Sequence, residues 1–368
     1  MLKAVIVGTA HMHVNEIALY ISENPEMELL GVCDLPAATP ETTEKRYTRA
    51  WNYKNIVGNY GAKGYTSYTE MLDTERPDVA FVLCENYRKR EVAEEIAKRG
   101  IDVILEKPMA ITSEDADAIV ALKAKYGVEI FVNWPVTWRK YVREFKANLD
   151  EAKAGKPIKL RYLNGHTGPL GKGAKHRGVS ATAEEMTDEE KSLTWWHKKE
   201  CGGGAYLDIL CYGAYFTRWA FGKLPEDVTS IGENLNTPFG DTEDNIAAFF
   251  RYDGAFAVAE GTWTTPRGRM PAGPEMICDN GVVWCEGNPD GSAGVRAMDI
   301  YGEVLEPATV DDDKNFTNMT WQYVAHKNEG LEMHETLTVE FNRDVVAMVE
   351  AAEKSNKSRA AVAPKAAK

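Results

Sequence analysis

The chain lacks several features that would fix its class at once. No apolar run approaches the roughly 18 to 20 residues needed to cross a bilayer, which excludes a transmembrane helix from the reading. Positive charge is in deficit: 43 Lys and Arg stand against 56 Asp and Glu, a formal net charge of −13, so the surface field repels phosphate backbones and anionic headgroups. Neither nucleic acid nor a membrane is expected as a partner. The six cysteines, at positions 33, 84, 201, 211, 278 and 285, contain no Cys-x-x-Cys pair and read as buried free thiols, not a disulfide framework. The seven histidines are scattered, and His11-x-His13 has no second pair at zinc-site spacing, so no metal is expected. There is no signal-peptide core, because Met1-Leu2-Lys3 runs directly into Ala4-Val5-Ile6-Val7 and a turn. The expectation is a cytoplasmic protein.

What is present is the composition of a globular protein, 44% hydrophobic and 10% aromatic, in 368 residues, more than a single core usually organises. Short β-branched runs alternate with helical stretches at the start, predicting parallel strands near Lys3–Val7, Leu29–Asp34, Asp78–Cys84, Asp102–Glu106 and Glu129–Asn133. Between them Arg88–Arg99 has helical spacing and stops at Gly100, while a helix from Ser113 carries Glu114 and Asp115 in its first turn and ends at Gly127. The predicted fold class is α/β, a Rossmann-type doubly wound parallel sheet over residues 1–133. After Lys140 alternating strands such as Ile158–Tyr162, Asn245–Tyr252, Ala255–Thr265 and Gly281–Glu286 predict an α+β domain over 134–354 with a large, mostly antiparallel, open-faced sheet. A polar insertion, Gly168 to Cys201, has the length of a lid or binding loop. The Ala- and Lys-rich tail, 355–368, is expected to fray.

The first strand ends in Gly8-Thr9-Ala10-His11-Met12-His13, where a dinucleotide fingerprint reads Gly-x-Gly-x-x-Gly. Only the first glycine is there, and by itself the segment is equally an ordinary strand-to-helix turn. Context supports the cofactor reading: Asp34 closes the second strand 21 residues after His13, where an acid accepts hydrogen bonds from ribose hydroxyls. Leu35, Pro36 and Ala37 offer no arginine for a 2′-phosphate, which favours NAD over NADP. The expected cofactor contacts are Gly8, Thr9, Ala10, His11, Met12 and Asp34, joined by Leu83 and Asn86 after the third strand and by Glu106 and Lys107 after the fourth.

Glu106-Lys107-Pro108 lies on the carboxyl edge of the sheet, where open α/β folds bind ligands. Far along the chain, Gly202-Gly203-Gly204 precedes Asp208 and Tyr212, which share a helix face at i and i+4. Together these segments resemble the glucose–fructose oxidoreductase/inositol dehydrogenase/rhizopine catabolism family, Gfo/Idh/MocA, over nearly the whole chain. The resemblance implies a Rossmann domain followed by an open-faced sheet, oxidation or reduction of sugars and polyols with NAD or NADP, and dimers or tetramers built through the sheet. It also implies that Asn86 contacts the cofactor, and it sets Glu243-Asp244 and Gly281-Val282 where the family's sheet domain has similar residues. The family's catalytic His position is held by Tyr212, as in one of its branches. Leu210 and Lys89 stand where a glycine and a histidine are usual.

The predicted chemistry is hydride transfer between a substrate carbinol and nicotinamide. Tyr212 moves the hydroxyl proton, Lys107 lowers the tyrosine's pKa and polarises the substrate oxygen, and Asp208 orients the hydroxyl or holds Lys107. Trp134, Trp195 and Trp196 offer flat faces suited to a sugar ring, so with Asp208 and Tyr212 they form the expected substrate set, although a tryptophan by itself is more often core or interface packing. Lys172, Lys175, His176 and Arg177 make the insertion locally basic, fit for a substrate carboxylate or simply a solvated face. Two alternatives stand beside the sugar reading. One is a non-sugar substrate such as an aromatic dihydrodiol, and the other is an NAD-sensing regulator without turnover.

Overall fold

A computed structural model describes residues 1–367. Its first sheet has six strands, all parallel: β1 (Leu2–Val7), β2 (Met27–Cys33), β3 (Lys63–Tyr65), β4 (Val79–Val82), β5 (Asp102–Glu106) and β6 (Ile130–Asn133), in the order β3-β2-β1-β4-β5-β6. The order reverses direction between β1 and β4, and such a switch point opens a crevice at the carboxyl ends of the strands. The apolar run Ala4–Val7 is fully buried, as a strand covered by helices on both faces requires. The sequence reading found every strand here except β3, which is three residues long and carries Gly64 at its centre.

Helices α1 (Val14–Glu23), α2 (Arg49–Asn59), α3 (Tyr68–Glu75), α4 (Lys89–Ala97) and α5 (Ser113–Tyr126) cover this sheet. Helix α5 follows its punctuation: Thr112 Oγ1 accepts the Asp115 N–H at 3.1 Å, two acids meet the positive end of the dipole, and Gly127 closes the helix at φ +67°.

Helix α6 (Lys140–Asp150) leads into the second sheet, which comprises β7 (Pro157–Gly165), β8 (Asp227–Glu233), β9 (Asn245–Tyr252), β10 (Ala255–Thr262), β11 (Glu275–Cys278), β12 (Gly281–Gly287), β13 (Ala293–Asp299) and β14 (Val304–Leu305). Their order is β14-β13-β12-β11-β7-β10-β9-β8, antiparallel except where β7 and β10 run parallel. Both members of that pair therefore end at the same edge, with Gly165 beside Thr262. One face packs inward through residues such as Val228, Ala248, Phe250 and Ala257, while Ile231, Phe249 and Phe256 stand on the open face, 69%, 50% and 38% exposed.

The insertion forms its own short helix, α7 (Asp188–Ser192), with a Thr187/Glu190 capping box, and is followed by α8 (Cys211–Phe221). Helices α9 (Met319–Glu329) and α10 (Val339–Ser358) return to the first lobe. Tyr323 Oη donates to Asp102 at 2.8 Å, and Arg343 pairs with Asp117 at 2.7 Å. These contacts tie the two C-terminal helices to the first lobe. The tail is docked rather than frayed: Val362 and Val228 exchange backbone hydrogen bonds of 2.9 Å each, and Arg343 donates to the carbonyls of Lys365 and Ala366. Backbone pairing and a buried guanidinium supply the order that composition does not suggest.

Candidate active site

At the end of β5, Glu106-Lys107-Pro108 is held from beneath by Lys89, whose buried Nζ donates to the carbonyls of Glu106 and Pro108 at 2.5 and 2.8 Å. Burial pulls the Lys89 pKa down to about 8. Lys89, at the position where the family resemblance implies a histidine, thus braces the Glu106-Lys107-Pro108 turn.

Lys107 Nζ donates to the Asp208 carbonyl at 2.9 Å and to Asp208 Oδ1 at 3.0 Å. The other carboxylate oxygen, Oδ2, accepts Trp263 Nε1–H at 3.0 Å and lies 3.3 Å from His166 Nε2. Burial opposes charge on both members of the pair. Lys107 and His166 nonetheless hold the Asp208 carboxyl well below the usual range. Lys107 is raised well above its ordinary value, with Tyr212 and Asp208 as the opposing charges. At neutral pH the phenol is uncharged, so the Asp208 carboxylate is the operative partner.

Three glycines permit this meeting. Gly202 and Gly204 sit at φ +75° and +99°, and a Cβ on Gly203 would lie 2.2 Å from the Trp196 carbonyl oxygen. The segment then widens into a π-helical turn over Tyr206–Leu210 before α8, a feature often found at functional sites.

Tyr212 departs from expectation. Its ring lies under Lys107, with Nζ 4.7 Å from the centroid, and no hydrogen bond joins the ammonium to the phenol. Burial pushes the Tyr212 pKa up to about 12, and Lys107 reduces that rise without reversing it. The expectation that Lys107 makes Tyr212 a base at neutral pH is corrected: Lys107 does lower the phenol's pKa, but desolvation of the buried ring outweighs it.

On the cofactor side, Gly8 has φ +88° and a Cβ there would meet the Cys84 backbone nitrogen at 2.5 Å, so only glycine fits this turn. The Leu83 carbonyl accepts the His11 N–H at 3.1 Å. Asn86 Nδ2 donates to the Gly202 carbonyl at 2.7 Å, while its buried Oδ1 has no partner among the described residues. A buried acceptor left open between the loop and the glycines suits a bound dinucleotide. Asp34 accepts the Thr9 N–H at 2.9 Å and pairs with Arg49, whose Nε and Nη2 reach it at 2.8 and 3.1 Å. The sequence offered no arginine near Asp34; the fold supplies one from α2. Arg49 is already engaged, since Nη1 also donates to Glu85 at 2.7 Å.

The tryptophans are corrected too. Trp134 is fully buried, donates Nε1–H to Asn342, and packs edge-on against Tyr212 at 5.2 Å, so it backs the site without facing a substrate. Trp195 and Trp196 stack on each other at 3.9 Å over the cofactor loop, where Trp195 Nε1 donates to the Ala10 carbonyl at 3.0 Å and Trp196 meets the His11 ring edge-on. Ala10, Met12 and Tyr47 share a small core there with Leu170 and Met186 of the insertion. Three of the insertion's basic residues have partners of their own, Lys172 in Glu185, His176 in Glu16 and the His13 ring, and Arg177 in the Tyr20 ring. The insertion is a strap across the cofactor loop.

The fold also gathers His11, His13 and Glu106, with ligand-type atoms all within 4.8 Å of one another. His11 Nδ1 accepts the His13 N–H, and burial keeps this ring neutral, so the proton resides on Nε2. His13 Nδ1 lies 3.1 Å from Glu106 Oε1, and although burial opposes charge on the ring, Glu106 raises the His13 pKa. The arrangement is a hydrogen-bonded cluster. Sequence reasoning missed His166 and Trp263, because only the parallel register of β7 and β10 brings residues so far apart to Asp208.

Residues 2–134 match the model for the oxidoreductase family with an NAD-binding Rossmann fold, and residues 143–283 match the GFO/IDH/MocA C-terminal domain. The chain belongs to the Gfo/Idh/MocA family. It is 28% identical to the rhizopine catabolism protein MocA of Rhizobium meliloti over 171 residues, 46% of each chain. It is 24% identical to 1,5-anhydro-D-fructose reductase of Ensifer adhaerens over 219 residues, 59% of this chain and 58% of that one. The chain thus spans about half the length of the curated relatives it matches. An aldose-aldose oxidoreductase from Caulobacter crescentus superposes with a TM-score of 0.74 at 18% identity, covering 98% of this chain and 99% of that chain, a likeness of fold.

Proposed function

We propose that this chain is an NAD-dependent oxidoreductase transferring a hydride between nicotinamide and a carbinol or carbonyl of a sugar, polyol or sugar acid. One observation carries the reading: a buried Lys107–Asp208 pair stands at the carboxyl edge of the parallel sheet, with the cofactor loop on one side and Tyr212 on the other. The names of the family relatives support the substrate class. When bound, NAD supplies the hydride acceptor. Gly8, Thr9 and the following turn would hold its pyrophosphate at the start of α1, Asp34 its ribose and Asn86 the region nearer the glycines. Asp34 has about one acceptor site left after Thr9 and Arg49 are counted, enough for one hydroxyl. Lys107 would polarise the substrate oxygen, and Tyr212, a neutral phenol in the position of the family's histidine, would donate a hydrogen bond to it.

A homodimer or homotetramer through the open sheet face is part of the reading, supported by the exposed Ile231, Phe249 and Phe256. Six free, buried cysteines and the acidic charge suit a reducing cytoplasm and a small-molecule substrate. The test is nicotinamide absorbance across aldoses, sugar acids, inositols and dihydrodiols with both NAD and NADP. Lys107→Met should lower turnover by about 100-fold or more while NAD affinity stays nearly unchanged. Normal turnover in that variant would refute the assignment.

A further inference from the structure

Oxidation of a carbinol requires a base for its hydroxyl proton, a need that follows from the dehydrogenase reading above. The two obvious groups are unsuited. Lys107 is held protonated by Asp208 and has no lone pair to offer. Tyr212 is held protonated by burial, and its Oη has no hydrogen-bond partner among the described residues that would stabilise an anion.

We propose that His166 Nδ1 accepts the substrate proton, with Asp208 fixing the imidazole and Tyr212 remaining a neutral donor. His166 follows directly on β7, where its N–H donates to the Thr262 carbonyl at 3.0 Å. Its Nε2 lies 3.3 Å from Asp208 Oδ2. An ionised carboxylate can only accept, so Nε2 must carry the hydrogen, and in a neutral imidazole that leaves the lone pair on Nδ1. The carboxylate cannot turn away, because Trp263 Nε1 donates to the same oxygen at 3.0 Å and Lys107 Nζ to the other at 3.0 Å. This is the logic of an acid-oriented histidine base, assembled from two strand ends and a glycine-led turn.

The His166 side chain is 29% exposed, whereas that of Lys107 is 3% exposed, so the imidazole can pass a proton on to water. The charged groups facing it are Asp208, from the turn before α8, and Lys107 behind that carboxylate, from the turn after β5. In the step, the carbinol O–H bond breaks with its proton going to Nδ1. The C–H bond breaks with its electron pair leaving as hydride to the oxidised cofactor, and a carbonyl forms.

The experiment compares the wild type, His166→Gln and Tyr212→Phe, as full chains with NAD and the carbinol that turns over, across about pH 5.5 to 9. Glutamine keeps an N–H for Asp208 but takes no proton. His166→Gln should lower kcat/KM by about 100-fold or more and remove the acid limb of its pH profile, with NAD binding unchanged. Tyr212→Phe should lower turnover yet keep that limb. Imidazole ¹⁵N shifts of the wild type should place the proton on Nε2. A retained acid limb in His166→Gln, or a proton found on Nδ1, overturns the assignment alone. Absence of cofactor reduction by any carbinol in the wild type overturns the dehydrogenase reading and this assignment together.

Discussion

Replacing Asp34 with serine should turn the cofactor preference toward NADP. In the structure Asp34 holds two nitrogens of Arg49, and Arg49 also gives hydrogen bonds to Glu85 Oε1 and the Leu35 carbonyl at 2.7 Å each. Asp34→Ser removes the acceptor proposed for the ribose hydroxyl and releases the Nε side of the guanidinium toward the place a 2′-phosphate would occupy. Glu85 keeps the other side, so the cation is not left buried without a partner, and the chain should fold. A hydrogen bond to a charged group contributes about 1.5 to 3 kcal/mol. One such bond from Arg49 to the 2′-phosphate, which NAD does not carry, moves the preference ratio by about 10- to 150-fold. The assay is calorimetric titration of wild type and variant with both oxidised cofactors at low and high ionic strength. The NADP advantage should persist at high salt, because the Arg49 guanidinium is buried and a buried charge pair is screened little. An unchanged ratio, or equal weakening of both cofactors, refutes the pairing of Asp34 with the ribose and Arg49 with the phosphate.

Three further outcomes are expected. Lys89 has a folded pKa of about 8 against an ordinary 10.5, so between those values the unfolded chain binds more protons and the folded state gains stability as pH rises. Urea melts at both ends of that window should show the gain for wild type and not for Lys89→Met; parallel pH dependence would contradict the burial argument. Gly203→Ala drives a Cβ toward the carbonyl oxygens of Trp196 and Trp195, at 2.2 and 2.6 Å, so the strap must shift from the Ala10 loop. NAD affinity should fall with about 1 to 3 kcal/mol of stability, and affinity equal to wild type in fluorescence titrations would show that the strap does not support the cofactor. Phe249→Glu puts a charge on the open sheet face and should give monomers by light scattering; a dimer unaffected by it would place the interface elsewhere.

The sequence by itself determined the parallel sheet, because Ala4–Val7 and Asp102–Glu106 are buried runs with helical stretches between them, and burial on both faces leaves a continuous apolar signature. It also determined Lys107, Asp208 and the glycines, since a lysine after a strand end and three consecutive glycines have local steric meaning. The tertiary structure alone decided the rest. His166 and Trp263 reach Asp208 through strand register, Arg49 reaches Asp34 through helix packing, and the tryptophans settle on the Ala10 loop because the strap shares its core. The Lys107–Tyr212 relation was visible in its sign but not in its outcome. Lys107 lowers the phenol's pKa, yet whether the phenol ends below its ordinary value depends on how much water burial removes. Local chemistry is written in neighbouring residues, whereas distances between segments and the desolvation of a charge exist only once the chain has packed.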